Sequence, residues 1–347
     1  MHLRKGGATM DTGDRRPSAI LLDLVNGFRV SQAIQVAATL GIADLLKNGA
    51  RSSDDLAAAT GTHPRSLYRV LRALASVGVF REDADRRFSL TPVGHCLRSD
   101  APETVAPFAV YIGQAEYRQA WGHLLHSVRT GENTFRHVHG MSLWEYHARN
   151  PEAGAIYDHA MTSLSRGVTD AVLSAHDFRQ FACVVDVGGG HGALLAAILT
   201  KHPSMRGVLF DQPRVVAGAK QVLRAAGVAD RCQVVGGDFF EAVPNGGNAY
   251  VLKSILHDWE DAQATAILRT CRVAVGPNGT LLVIEREINP PNEGPMAKFS
   301  DLNMLVSPGG RERTHDEWAA LFAAGGFRLV GATPTEAGPC VIEGVPA

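Results

Sequence analysis

The spacing of apolar residues changes character along the chain. Between Ala19 and about Leu46, apolar side chains recur every three or four positions, which predicts amphipathic helices. The next stretch has an Asp-rich helix start at Ser53, a Gly-Thr turn, and a second helix that begins near Pro64 and ends at Gly78. VFREDADRRFSLTPVG then predicts two short strands around a polar turn. Two helices followed by a hairpin are typical of a winged helix.

After Cys183, short β-rich runs alternate with helical runs, and this alternation predicts a parallel sheet with right-handed crossovers. The last helix is followed by two strands around a Gly-Pro turn, which predicts a closing antiparallel hairpin. The fold class is therefore α/β, a Rossmann-like sheet with an antiparallel closing hairpin, preceded by a mostly helical winged-helix domain. The predicted strands are CVVDV, GVLFD, CQVVGGDFF, AYVLKSIL, GTLLVIERE, FRLVGATPT and CVIEGV, and the predicted helices are GALLAAILTKHP, PRVVAGAKQVLRAAG, DAQATAILRTCRVAV and HDEWAALFAAGG.

The region between these two parts, about Thr104 to His176, is helical in pattern and rich in aromatic residues and histidines. Such a density could line a flat apolar pocket for an aromatic ligand. The segments HLLH and HVHG have no further ligands beside them in the sequence, so no metal site is expected.

Composition narrows the class of protein. A chain of 347 residues is long for one compact domain, so two domains are expected. Lys plus Arg number 34 and Asp plus Glu 35, and this near balance gives no global attraction to nucleic acid or anionic membrane. The five cysteines form no CxxC, and no apolar signal or membrane-spanning segment is present. A reduced, cytoplasmic protein with a disordered leader at residues 1–17 is the simplest expectation.

The winged-helix pattern leaves two interpretations open. Arg65, Arg69 and Arg72 on its second helix could contact DNA, or they could form the solvated face of a helical interaction module. The second interpretation is favoured because the nearly neutral chain carries no other signal for nucleic acid.

The stretch VVDVGGGHGALL marks a candidate nucleotide site after the first strand of the α/β part. Its glycines fit both the dinucleotide pattern and the turn of methyl-donor enzymes, so Gly188 and Gly190 alone do not decide between them. Asp186, just before the turn, would repel a pyrophosphate but can accept hydrogen bonds around an ammonium group, directly or through water. A ligand with an amino acid end therefore suits this turn better.

Acidic residues also end the next two strands. Asp211 stands about twenty residues after the glycine turn, where an acid commonly binds ribose hydroxyls. Asp238 follows the third strand and can contact an exocyclic amine, with Phe239 beside an adenine ring. Each is an ordinary turn aspartate if taken singly, but together they predict ribose, base and amino acid contacts.

The segment LKSILHDWEDAQA at the fourth strand end carries the strongest candidate for chemistry. His257 follows a parallel strand that contains Lys253, and such strand ends face the ligand crevice. Glu285 ends the fifth strand and Glu312 lies in the loop PGGRERTHDEW, so each could flank the imidazole. A carboxylate beside a histidine orients it and stabilises its protonated form, which is the arrangement of a general base.

These motifs resemble the S-adenosylmethionine-dependent O-methyltransferases of the plant caffeic acid and bacterial polyketide-tailoring type. The resemblance runs from about Ala19 to the C-terminus through DVGGGHG, LFDQP, GGDFF, LKSILHDW, VIERE and PGGRERT. It implies S-adenosylmethionine as cofactor, His257 as base, and Glu285 and Glu312 as its flanking acids. The residues that it implies for donor contact are Gly188, Asp211, Asp238, Phe239 and Lys253, and those for the acceptor pocket are Trp144, His147, Tyr157, Met161, Asn303 and Met304.

Two departures from the plant pattern bear on the acceptor. Phe239 stands where plant members often have methionine, and a phenyl ring still packs on adenine. LVSPGG is shorter than the plant loop and lacks its Asn, which favours an aromatic acceptor other than a phenylpropanoid.

The predicted function is O-methylation of a hydroxyl on a small aromatic, secondary-metabolite-like acceptor. N-methylation or donor-assisted decarboxylation or hydroxylation is the alternative within the family, and a ligand-sensing DNA-binding regulator is the alternative from another class. The predicted domains are a winged-helix dimerisation domain at 18–100, a helical linker and acceptor-pocket region at 101–176, and a donor-binding domain at 177–347. We expect a homodimer through the N-terminal domain, because the helices from Ala19 to Leu46 have broad apolar faces, and no nucleic acid or membrane partner.

Overall fold

The computed structural model describes residues 16–347, so nearly all of the predicted leader at 1–17 lies outside the described residues. The chain divides into two compact units. The first unit comprises residues up to Arg118 together with Pro151–Leu164, and the second unit comprises Gln119–Asn150 and Ser165–Ala347. The predicted middle region, 101–176, thus contributes helices to both.

The first unit contains the predicted winged-helix pattern. The Ser52 hydroxyl accepts a hydrogen bond from the Asp55 amide at 3.1 Å and caps one helix, while Pro64 begins the next, so both predicted helix starts are confirmed. The hairpin strands pair antiparallel within a three-stranded sheet of order β1-β3-β2. The elements are α1 Pro17–Thr39, α2 Ile42–Leu45, β1 Arg51–Ser52, α3 Ser53–Thr60, α4 Pro64–Ser76, β2 Phe80–Glu82, β3 Arg87–Leu90, α5 Pro92–His95 and α6 Ala106–Ile112.

The core of the first unit forms where α4 and the hairpin turn their apolar sides inward. Leu71 and Leu74 of α4 pack with Phe80 and Phe88 of the strands, and all four are buried. The N-terminal half of α1 instead leaves large apolar side chains in solvent. They are Leu21, Leu22, Leu24, Val25 and Phe28, each more than half exposed.

The region from Thr104 to His176 is helical, as its pattern predicts. After α6 its helices are α7 Ala115–Gly122, α8 Leu124–Thr130, α9 Thr134–His139, α10 Leu143–Arg149 and α11 Pro151–Ala175. The chain passes from the first unit to the second within α7, returns to the first at the start of α11, and passes to the second again within α11.

The second unit is built on a seven-stranded sheet of order β6-β5-β4-β7-β8-β10-β9. The first five strands in sequence are parallel, whereas β10 pairs antiparallel with both β8 and β9. The predicted parallel sheet and closing hairpin are therefore confirmed, and the final strand lies between β8 and β9. The strands are β4 Cys183–Val187, β5 Arg206–Asp211, β6 Cys232–Gly236, β7 Ala249–Lys253, β8 Thr280–Glu285, β9 Phe327–Pro334 and β10 Cys340–Pro346.

Helices cover both faces of this sheet and bury its alternate side chains in two apolar layers. The predicted helix PRVVAGAKQVLRAAG is two helices, which are interrupted around Gly218, where a Cβ would stand 2.9 Å from the His191 ring. A helix at Pro295–Val306 was not predicted. The helices are α12 Ala193–Lys201, α13 Pro213–Val216, α14 Ala219–Ala225, α15 Asp261–Ala274, α16 Pro295–Val306 and α17 His315–Ala324.

The fold brings the carboxyl ends of β4, β5, β7 and β8 to one edge of the sheet. The residues that follow these strands form the candidate site, as expected for a doubly wound sheet. Among residues 16–347, no helix combines the length and the apolar character that crossing a bilayer requires.

Candidate active site

The turn after β4 has two glycines at positions that are too crowded for a side chain. Gly188 has φ +71°, and a Cβ there would stand 2.4 Å from the Ile255 side chain and 3.8 Å from the Phe239 ring. At Gly189 a Cβ would stand 2.5 Å from the Asp186 carboxylate. Without side chains at these positions, the backbone of the turn lies open beside an aromatic ring, which fits the close approach of a nucleoside.

Asp186 lies at the end of β4 beneath this turn and is 1% exposed. One of its carboxylate oxygens, Oδ2, accepts no hydrogen bond from any described residue. Burial raises the pKa of Asp186 to about 7, although the Lys253 ammonium partly opposes this effect. A buried acceptor without a donor is costly, so an amine or a water bound at the glycine turn would remove an existing penalty.

Asp211 and Asp238 end the two adjacent strands, as predicted. Asp211 Oδ2 accepts a hydrogen bond from the Gly190 amide at 2.8 Å, which joins the end of β5 to the glycine turn. Asp238 is exposed and accepts from the Phe240 amide at 2.8 Å, so its carboxylate also orders its own turn. Phe239 beside it packs against Phe240, with ring centres 5.0 Å apart.

Lys253 ends β7, and its ammonium donates to the Ser165 hydroxyl at 2.8 Å. Burial lowers the pKa of Lys253, although Asp186 and Glu285 act in the opposite direction. The next residue, Ser254, has φ +56°, an unusual conformation for a side chain other than glycine. This bend turns the chain from the strand into a short 3₁₀ turn, Leu256–Asp258, which carries His257.

Glu285 at the end of β8 fixes this 3₁₀ turn. Its Oε1 accepts hydrogen bonds from the backbone amides of Ile255 at 2.8 Å, Leu256 at 3.0 Å and His257 at 3.4 Å. The other oxygen, Oε2, lies 3.2 Å from His257 Nδ1. Glu285 is 1% exposed, so one buried carboxylate both shapes the loop and faces the imidazole.

Glu312 reaches the same imidazole nitrogen from the loop before α17. Its Oε1 lies 3.0 Å from His257 Nδ1 and accepts a second hydrogen bond from the Ser300 hydroxyl at 2.6 Å. Ionised carboxylates only accept, so in the neutral ring Nδ1 carries the proton and Nε2 is the nitrogen left to accept one. Asp258 Oδ1 lies 3.5 Å from Nε2.

The charges of three carboxylates control the protonation of His257. Burial disfavours a charged imidazole, but Glu285, Glu312 and Asp258 outweigh it and raise the pKa of His257 to about 10. Burial raises the pKa of Asp258 to about 7, against the opposing effect of His257. The four groups therefore titrate together, and a proton taken up at Nε2 is strongly stabilised.

Arg313 joins the loop before α17 to the segment that carries His257, and no role for it was predicted from the sequence. It is fully buried and donates to the carbonyls of Leu256 at 3.0 Å and Trp259 at 2.9 Å. It also donates twice to Asp261 Oδ1, at 2.8 and 3.0 Å. The only available signal was the arginine-rich run GGRERT, and arginine is seldom buried. Ser300 and Asp258, which complete the histidine cluster, were likewise not assigned roles from the sequence.

Four of the six residues predicted for the acceptor pocket lie in the second unit. Trp144 stacks on Trp259 with ring centres 6.3 Å apart and therefore lies beside the 3₁₀ turn that carries His257. His147 is 2% exposed, and burial, aided by the Arg214 charge, lowers its pKa to about 4, so it is neutral near pH 7. Asn303 accepts a hydrogen bond from the Trp121 indole at 3.3 Å, and the next residue of α16, Met304, is buried.

The other two predicted acceptor residues, Tyr157 and Met161, belong to the part of α11 in the first unit. Tyr157 packs edge-on against Tyr111, with ring centres 5.3 Å apart. Their role at the acceptor stays a prediction.

Comparisons with known proteins agree with this geometry. Residues 121–328 match the O-methyltransferase domain and residues 22–100 match the O-methyltransferase dimerisation domain. The chain is 44% identical over 329 residues to a phenazine O-methyltransferase from Lysobacter antibioticus, which covers 95% of this chain and 96% of that protein. It is 38% identical over 319 residues to an 8-amino-8-demethylriboflavin N,N-dimethyltransferase from Streptomyces davaonensis, with 91% of each covered.

A crystal structure of similar fold is that of an O-methyltransferase from neocarzinostatin biosynthesis in complex with S-adenosylmethionine and 2-hydroxy-5-methyl naphthoic acid. Its TM-score is 0.80 and its identity 33%, covering 96% of this chain and 100% of that chain. The glycine turn and the unsatisfied Asp186 oxygen fit such a donor. The chain therefore belongs to the O-methyltransferase family and is a methyltransferase that uses S-adenosylmethionine.

Proposed function

We propose that the chain methylates a hydroxyl group of a small aromatic acceptor, with His257 as the general base. The observation that carries this proposal is the pair of carboxylates at His257 Nδ1, 3.0 Å away for Glu312 and 3.2 Å away for Glu285. They hold the proton on that nitrogen and leave Nε2 to take the proton of the acceptor hydroxyl.

The residues that we propose for binding the donor are Asp186, Gly188, Gly190, Asp211, Asp238, Phe239 and Lys253. S-adenosylmethionine supplies an already activated methyl group, so the protein's main task is to orient the two reactants. Asp186 offers its unsatisfied oxygen to the amino acid end, while Asp211 and Asp238 offer carboxylates to the ribose and the base. Phe239 lies close enough to Gly188 to form the wall against which adenine packs.

Aromatic surfaces support an aromatic acceptor. Trp144 and Trp259 form a stacked pair next to the base, and neutral His147 packs edge-on against Trp144. Flat apolar walls with few polar groups are typical of sites for aromatic ligands. Asn303 and Met304 on α16 are the further residues that we propose for this pocket. For the acceptor we also propose Tyr157 and Met161 on α11, on the family resemblance alone.

The test of this assignment is His257→Ala. Loss of the base should reduce turnover by about two to four orders of magnitude, while the affinity for S-adenosylmethionine, measured by calorimetry, stays near the wild-type value. His315→Ala is the matched control, because His315 also pairs with a glutamate, Glu287 at 2.9 Å, and neither residue belongs to the His257 cluster. An unchanged rate in His257→Ala would remove this residue from the mechanism.

N-methylation is the second candidate, because one relative is named as an N,N-dimethyltransferase. An amine nucleophile loses its proton more readily once it has been methylated, so it depends less on a base. A mass-spectrometric screen of aromatic phenols and matched anilines with labelled donor distinguishes the two. Methylation of the anilines alone, at a rate that His257→Ala leaves unchanged, would replace our proposal with this one.

We also propose that residues 18–100 form the dimerisation domain, that 101–176 contribute to the acceptor region, and that 177–347 bind the donor.

The exposed apolar residues of α1 and the match to a dimerisation domain support a homodimer. Leu24→Glu should weaken or abolish the dimer in light scattering at micromolar concentration, whereas Val273→Glu, on an exposed site of α15, should not. A monomeric wild type would contradict the proposal. We expect a cytoplasmic protein without a nucleic acid or membrane partner.

A further inference from the structure

Three side chains that the methyltransferase mechanism does not use come together on α8, on α9 and on the turn between them. His126 Nε2 lies 2.9 Å from Glu132 Oε2, and the rings of His126 and His137 are stacked with centres 3.6 Å apart and planes 12° apart. One nitrogen from each histidine and one carboxylate oxygen all lie within 4.8 Å of one another. Read from the sequence alone, HLLH and HVHG lacked further ligands, but folding places one histidine of each beside a glutamate.

The backbone that carries these ligands is well fixed. Buried Ser127 donates to the Glu132 carbonyl at 2.6 Å and also pairs with the Thr134 hydroxyl. Asn133 caps α9 by accepting from the Arg136 amide at 2.8 Å and donates to the Leu305 carbonyl at 2.9 Å. Donors held on a rigid turn lose little conformational entropy when they bind a ligand.

The chemistry of the set suits a transition metal. Each neutral imidazole has one nitrogen lone pair, and two histidines with one carboxylate are a common ligand set for Zn²⁺. Glu132 and His137 are exposed, and the imidazole χ2 torsion is soft, so the stacked rings can turn their nitrogens toward one ion at small cost.

A third histidine is oriented next to the cluster. His123 Nδ1 lies 2.8 Å from the Gln119 carbonyl oxygen, and its ring centre is 6.2 Å from that of His137. A carbonyl only accepts, so Nδ1 carries the hydrogen and Nε2 keeps the lone pair that metals bind.

We infer that His126, Glu132 and His137 form a binding site for a divalent transition-metal ion such as Zn²⁺, which would link α8 to α9. The inference is independent of the acceptor and of the role of His257. Its consequence is stabilisation, because an ion that binds only the folded chain raises the melting temperature.

The test uses untagged full-length protein from which metals have been removed with a chelator. We expect Zn²⁺ to bind in calorimetry and to raise the melting temperature, and Co²⁺ to give visible absorption bands. In His126→Gln and in His137→Gln the affinity for each metal ion should fall at least about tenfold, since even residues that contact a metal only indirectly contribute that much.

His315→Gln is the matched control, because His315 also pairs with a glutamate at 2.9 Å but has no third ligand atom grouped with it among residues 16–347. Its affinity for Zn²⁺ should equal that of the wild type. The buried cluster of His257, Glu285 and Glu312 could compete for the ion, so His257→Gln is measured in parallel. The inference falls if wild-type protein binds no more Zn²⁺ than His126→Gln/His137→Gln, or if only His257→Gln or His315→Gln loses binding.

Discussion

Glu312→Gln tests the electrostatic origin of the base most directly. The substitution keeps the size of the side chain and an oxygen that can accept from Ser300 or from His257, now 2.6 and 3.0 Å from Glu312 Oε1. It removes one negative charge. Any change in the titration of His257 can therefore be assigned to that charge.

The magnitude follows from the distances. At an effective dielectric constant of about 20, opposite unit charges about 4 Å apart attract by about 4 kcal/mol, which corresponds to roughly three pH units. Glu285 and Asp258 remain beside the ring and share the effect with Glu312, while burial continues to oppose it. We therefore expect the pKa of His257 to fall from its value of about 10 in the wild type by roughly one to three pH units.

The assay is the pH dependence of kcat/KM for transfer of a labelled methyl group at saturating donor. Since the base acts in its neutral form, the rising limb of the wild-type profile should lie above pH 6.5, the ordinary value for histidine. In Glu312→Gln this limb should move to lower pH, with a lower plateau because the ring is held less firmly. Glu287→Gln, which removes a charge beside His315 instead, should leave the limb in place.

An unchanged limb in Glu312→Gln would refute the reasoning, because the charge would then not control the base. A shift to higher pH would refute it equally.

Three further predictions follow from other contacts. Gly188→Ala should lose donor affinity in calorimetry far more than Gly190→Ala, because both sites have positive φ but only the first would press a Cβ against Ile255, at 2.4 Å. Arg313→Met should lower the free energy of urea unfolding by at least about 2 kcal/mol, since it strands buried carbonyls, whereas exposed Arg179→Met should change it little. Wild type should have a higher free energy of unfolding than His257→Gln. This difference should be full below pH 6.5 and vanish as the pH rises through about 10, because folding raises the pKa of His257. A difference that grows with pH would contradict the assignment.

The sheet was predictable because its strands are short, apolar and separated by clear turn signals. CVVDV and GTLLVIERE became β4 and β8, and their ends carry Asp186 and Glu285 as expected. α16 was missed because its sequence, PMAKFSDLNMLV, follows a Pro- and Gly-rich stretch and has no capping residue, since Gly294 precedes it. The position of β10 between β8 and β9 was also out of reach, because hairpin patterning does not say which of its two strands pairs with the sheet.

The histidine cluster illustrates where sequence reasoning stops. The glutamates at 285 and 312 were predicted to flank His257, and the structure brings both to the same nitrogen. What holds them there is not visible as a motif, because Arg313 acts through the backbone carbonyls of residues 256 and 259, which any amino acid at these positions would supply. Removing Arg313 should therefore alter the orientation of His257 without altering any group that touches the reactants. A catalytic loss in Arg313→Met accompanied by an unchanged limb in the pH profile would separate positioning of the base from its charge environment.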